Sequence, residues 1–194
     1  MPDLAPLCIA LTTMQEPIAL LDRPIVLVGL MGVGKSTVGR RLAKRLNLPF
    51  VDSDDEIEDA AGAPHGDVLE RYGERDYRDG ERRLVARLVD GQLRVIATGG
   101  GAFIDPATRA LLNERTITVW LDAPVDVLAE RTSRRNTRAL LRHGDPKETL
   151  ARLAVERRAA YAEAHLKVVS GKGAHHDVVE SIVRAVNGWL LSRA

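Results

Sequence analysis

Residues 29–36 read Gly29-Leu30-Met31-Gly32-Val33-Gly34-Lys35-Ser36, a complete G-x-x-x-x-G-K-S. Glycines at these places let successive backbone N–H groups turn inward around a phosphate, and a helix starting there adds its positive end. Lys35 is then placed to neutralise β- and γ-phosphates, and the Ser36 hydroxyl to ligate Mg²⁺. Gly32, Val33, Gly34, Lys35, Ser36 and Thr37 are the candidate nucleotide contacts, and Lys35 is also a candidate catalytic group. This chemistry needs a strand before the loop and a helix after it. The β-branched run at 25–28 and the helical pattern at 35–46 supply both, which separates the stretch from a glycine-rich turn with a surface lysine. The expected ligand is a nucleoside triphosphate.

A phosphate loop does not name a reaction. No guanine-reading Asn-Lys-x-Asp occurs in the chain. An apolar run does end at Asp122, but Ala123-Pro124 and a helical pattern follow, so Asp122 reads as a strand-end or cap residue. A small-molecule kinase remains, and three features could hold its acceptor. Asp52-Ser53-Asp54 ends a short strand, on the edge of an open sheet where ligands collect. One carboxylate there can hold Mg²⁺ through water and another can orient or deprotonate a hydroxyl, although Asp and Ser also cap helices. Gly73-Glu74-x-x-Tyr77-Arg78-x-x-Glu81 puts Arg78 and Glu81 on one helical face, where an ion pair can form. Gly99-Gly100-Gly101 follows another strand, leaving no side chains in a ligand's way and N–H groups to donate.

Together these pieces resemble shikimate kinases over about 24–191, nearly the whole chain. The likeness rests on the phosphate loop, Asp-Ser-Asp followed by Glu-Ile-Glu, the Gly-Glu-x-x-Tyr-Arg segment and the triple glycine. It implies ATP-dependent phosphorylation of shikimate at its 3-hydroxyl, a step of aromatic amino-acid biosynthesis, with ATP as co-substrate and Mg²⁺ as cofactor. By the same resemblance Asp54 contacts the ring hydroxyls as base or orienter, and Asp52 joins Ser36 in supporting Mg²⁺. Arg78 and Arg157 clamp the substrate carboxylate, Gly99, Gly100 and Gly101 border it, Arg131 stacks on adenine, and Arg138 swings over the phosphates from a lid at about 133–146. The chain departs from the family at Tyr77, where Phe is usual, and at Ala139 and Ala159, where Pro is usual. Loss of proline could loosen the lid or extend a helix. Kinases of other small hydroxy acids such as gluconate, and a non-catalytic nucleotide sensor, stay open as alternatives.

These residues need a scaffold, and the alternation along the chain provides one. Short apolar runs at 25–28, 50–52, 94–98, 116–121 and 167–169 alternate with helical patterns at 35–46, 54–61, 67–72, 74–89, 106–113, 125–132, 147–164 and 176–191. That order predicts an α/β fold, a three-layer sandwich around a parallel sheet of about five strands. One domain is expected over 24–194, after a loosely ordered extension at 1–23 in which Met14 is a second candidate start. The polar, basic stretch 133–146 reads as a mobile loop.

The 194 residues suit one domain able to bury roughly 70% of its unfolded surface. With 28 basic against 27 acidic residues, anions must be held by a local cluster rather than by bulk charge, which argues against nucleic-acid and membrane partners. A single cysteine, Cys8, excludes an internal disulfide and points to a reducing cytoplasm. No apolar run approaches the ~18 residues of a membrane span. No long exposed apolar face stands out from which to read an oligomeric state; a monomer is expected. His143, His165, His175 and His176 lack metal-ligand spacing and read as surface residues.

Overall fold

A computed structural model describes residues 21–133, 145–171 and 173–193. The expected extension lies almost wholly outside them, as does most of the lid stretch with Arg138. Strand β1 (Ile25–Val28) has no exposed residue, and β3 (Val95–Ala97) and β4 (Ile117–Asp122) are nearly as closed. Near-continuous apolar runs of this kind suit strands covered on both faces. β2 (Phe50–Asp52) and β5 (Leu166–Val169) are the edges, and β5 accordingly alternates a buried Val168 with the exposed Lys167 and Val169. All pairings are parallel, in the order β2-β3-β1-β4-β5. Every strand therefore delivers its carboxyl end to the same edge.

Helix α1 (Lys35–Leu46) leaves the phosphate loop and packs with α7 (His175–Leu191) on one face of the sheet. Between them, α1 buries Val38 and Leu42 and α7 buries Ile182 and Val186. Each such side chain is worth about 1.5–3 kcal/mol on leaving water. Helices α3 (His65–Leu88), α4 (Pro106–Arg115), α5 (Val125–Ser133) and α6 (Pro146–Tyr161) group on the other side. Helix α2 (Ser53–Ala61) follows β2 directly and packs on α3. The three-layer expectation holds.

Local departures from the sequence reading have local causes. The two expected helices at 67–72 and 74–89 join into α3, but Gly73, at φ 77° and ψ 165°, keeps a kink between them. A 3-10 turn (Ala102–Ile104) follows the three glycines, too short for any periodicity to reveal. Helix α6 starts at Pro146, capped by Asp145, whose Oδ1 accepts from Lys147 N at 2.8 Å. It stops at Tyr161 rather than 164. There Glu163 N and Ala164 N bond to the carbonyls of Ala160 and Tyr161, tightening the last turn so that the chain can re-enter the sheet.

Candidate active site

At the carboxyl edge, Gly29, Gly32 and Gly34 hold φ values of 137°, 80° and 100°, a left-handed path that only glycine follows without strain. A side chain at Gly29 would also run into the Leu121 carbonyl. Lys35 is 8% exposed, and its Nζ donates to the carbonyls of Gly29 (2.8 Å) and Leu30 (3.0 Å), which holds the ammonium inside the loop it serves. Helix α1 begins at Gly34 with no side-chain cap and no acidic residue in its first turn. Its positive end is thus left uncompensated by the chain, as an anion site requires.

The loop opens onto a cleft of about 400 Å³ lined by Gly32, Gly34, Lys35, Ser36, Thr37, Asp52, Asp54, Thr98, Arg131, Thr132 and His175. That volume suits a small-molecule ligand. Asp52 has a structural role and a place at the cleft. It caps α2, its Oδ1 accepting from Asp54 N at 3.1 Å, and it also faces the cleft. Arg131 ties the loop to the segment after β5, donating to Val33 O (3.3 Å), Ser170 Oγ (3.3 Å) and Gly171 O (2.7 Å). Val33 takes part through its carbonyl, since its side chain is buried.

The three glycines are where the remaining groups meet. A methyl group added at Gly99 would stand 2.5 Å from Asp54 Oδ1 and 3.0 Å from Glu81 Oε1. One added at Gly101 would stand 2.6 Å from Arg78 Nη1, and one at Gly100 would lie 3.9 Å from Arg157 Nη1 and 3.5 Å from the loop amide of Met31. Gly99 N donates to Ser53 Oγ at 3.0 Å, fixing the turn against α2. Asp54, Arg78 and Arg157, from three helices, thus gather around one glycine turn beside the phosphate loop.

Arg78 forms the expected pair with Glu81, Nη1 to Oε2 at 2.7 Å. Burial opposes the charge on Arg78, but the Glu81 hydrogen bond and carboxylate outweigh it, so its pKa is raised. The guanidinium also lies 5.3 Å from the centre of the Tyr77 ring. Burial, reinforced by the carboxylates of Glu81 and Asp54, pushes the Tyr77 phenol far up, so it stays protonated. Arg157 donates through Nη1 to Gly100 O at 2.8 Å.

Known proteins resemble this chain in sequence and in fold. The sequence model of the family described as shikimate kinase matches residues 31–187. A shikimate kinase of Novosphingobium aromaticivorans is 52% identical over 174 residues, covering 88% of this chain and 90% of its own. One from Rhodopseudomonas palustris is 49% identical over 172 residues, with 89% and 85% covered. The chain belongs to the shikimate kinase family. The solved shikimate kinase from Acinetobacter baumannii, in complex with shikimate, shares the fold at a TM-score of 0.81 and 38% identity, over 84% of this chain and 92% of that one.

Against this shikimate kinase frame, two residues correct the sequence reading. His175, expected at the surface, lines the cleft because the turn after β5 brings the start of α7 over the phosphate loop. Burial, with Arg41 and Arg131 nearby, holds its pKa down. His165 is half-buried. Its Nδ1 accepts from Thr118 N at 3.1 Å, its ring lies against Trp189, and burial lowers its pKa. Only His176 among the described three is exposed. Arg138 and His143 lie outside the described residues. Ser53 and Tyr161 were missed as site-building groups. Ser53 sits inside the Asp-Ser-Asp run, and Tyr161 follows Arg157 at the i,i+4 spacing that puts both on one face of α6.

Among the described residues no group of three His, Cys, Asp or Glu side chains forms a metal cage. Mg²⁺ needs none, being held by one or two protein oxygens together with water and phosphate. The Ser36 hydroxyl and the Asp52 carboxylate, both facing the cleft, fit that donor set. Among those same residues no helix is long and apolar enough to cross a membrane.

Proposed function

We infer that this member of the shikimate kinase family transfers the γ-phosphoryl group of ATP to the 3-hydroxyl of shikimate through the groups gathered at the triple glycine. In the reaction the shikimate oxygen bonds to the γ-phosphorus, the bond from that phosphorus to the β–γ bridging oxygen breaks, and ADP leaves. Asp54 orients the attacking hydroxyl and accepts its proton. Arg78 and Arg157 hold the carboxylate of the ring, each offering a planar fork of donors. Gly99, Gly100 and Gly101 give the acceptor room, and Gly100 offers it a backbone N–H. Lys35 and the loop amides of Gly32 to Thr37 bear on the phosphates, Arg131 faces the adenine, and Arg138, outside the described residues, neutralises charge on the transferring phosphoryl group. Ser36 and, through water, Asp52 would hold Mg²⁺, which neutralises charge on the phosphate oxygens when bound. Positioning and electrostatics supply most of the acceleration in such a transfer. A cytoplasmic monomer goes with this reading, the lone cysteine being in keeping with a reducing compartment.

The observation that carries the reading is the meeting of one aspartate and two arginines around a glycine turn that touches the phosphate loop. A coupled ADP-release assay tests it, with shikimate and gluconate compared as acceptors. Turnover with shikimate and none with gluconate is expected, and absence of shikimate-dependent ADP overturns the reading. Arg157→Ala should raise KM for shikimate about a hundredfold, as loss of a charge-assisted contact does. Its KM for ATP should barely change. Equal weakening of both substrates contradicts the role given to Arg157.

A further inference from the structure

Arg157 does not stand alone on the Gly100 carbonyl. Tyr161 Oη donates to the same oxygen at 2.6 Å, beside the 2.8 Å bond from Arg157 Nη1. Both donors come from one face of α6, four residues apart, and both lone pairs of one carbonyl are thereby engaged. The Tyr161 side chain is 2% exposed, so water cannot substitute for its hydroxyl. Its ring lies between Phe103, whose centre is 6.4 Å away at an interplanar angle of 9°, and Trp120 at 6.0 Å and 23°. Phe103 belongs to the 3-10 turn that follows the glycines, and Trp120 to β4. The phenol is thus fixed between two rings, and burial pushes its pKa up, which keeps the proton it donates.

A glycine peptide has no side chain to fix it, and Gly100 is flanked by two more glycines. Something outside the turn must set the direction of this carbonyl, and through it the place of Arg157. We propose that Tyr161 is a positioning residue of the acceptor site: its hydroxyl locks the Gly100 carbonyl, which in turn aims the Arg157 guanidinium at the substrate carboxylate. This rests on the reading of Arg157 as a carboxylate clamp. Tyr161 itself touches no substrate. Its task is to make one orientation of a flexible turn the only one available when shikimate arrives.

Tyr161→Phe removes the hydroxyl and keeps the ring. It should raise KM for shikimate about tenfold, the scale of one buried hydrogen bond, with kcat and KM for ATP little changed. In an Arg157→Ala background the same change should have no further effect on shikimate, because its influence runs through Arg157. Ile182→Val, in the fully buried core of α7, serves as a packing control, expected to lower the melting temperature without selective loss of shikimate affinity. An unchanged shikimate KM in Tyr161→Phe overturns the proposal. So does the same tenfold rise on top of Arg157→Ala, or equal losses for shikimate and ATP. If Arg157→Ala itself leaves the shikimate KM unchanged, the clamp reading fails instead, and the two failures are told apart in one set of assays.

Discussion

A single methyl group at residue 101 is enough to test how the acceptor arginine is held. It would stand 2.6 Å and 2.9 Å from the two Arg78 Nη atoms and 3.0 Å from Cζ. The guanidinium is the far end of a flexible side chain, so Gly101→Ala folds and Arg78 moves instead. A displacement near 1 Å in a positioning group costs up to about 10² in rate. Gly101→Ala should therefore raise KM for shikimate at least tenfold while its melting temperature stays close to the parent's, as kinetics and calorimetry would show. An unchanged KM would mean that Arg78 is not a clamp. Much of this site was legible residue by residue. The phosphate loop is local, with all its donors inside eight consecutive positions, and Arg78–Glu81 follows from helical spacing. The convergence on Gly100 was not, because Arg157 and Tyr161 reach it from a helix remote in sequence, and no pattern along the chain says which carbonyl a helix will face.

At the scale of elements, β4, β5 and α7 are joined through His165. Its Nδ1 can accept from Thr118 N only while unprotonated, and burial lowers its pKa below the ordinary 6.5. The folded state then resists a proton that the unfolded chain takes up. The resulting contribution to stability is complete above 6.5 and is lost as pH falls through 6.5 toward the lower folded value. Thermal unfolding should show stability falling as pH drops below the ordinary histidine value of 6.5, with a shallower fall in His165→Asn, which has an acceptor but no titration in that range. Parallel slopes would show that His165 is not the group responsible. Element type and order were readable from alternating apolar runs and helical periods. Ends were less so where backbone geometry decides them, as at Gly73, whose φ of 77° kinks α3 without ending it, and at the tightened last turn after Tyr161.

The whole molecule places every described candidate group on the carboxyl edge of one parallel sheet. β1 leads into the phosphate loop, β2 ends at Asp52, β3 runs into the glycines, and the chain after β5 supplies Ser170 and His175. The order β2-β3-β1-β4-β5 makes this possible, since β3 lies between β1 and β2 and brings its glycines between the phosphate loop and Asp54. Pairing of this kind joins residues far apart in the chain, such as Leu27 with Ala97 and Val119 with Leu166, and leaves no signature in either strand alone. His175 entered the cleft for the same reason, through the path of a loop rather than through its neighbours in sequence. The most direct measurement of the central claim is a crystal structure with shikimate and a non-hydrolysable ATP analogue bound together. The ring carboxylate is expected between Arg78 and Arg157, with the 3-hydroxyl beside Asp54 and facing the terminal phosphate; both arginines turned to solvent, with the acid bound elsewhere, would contradict it.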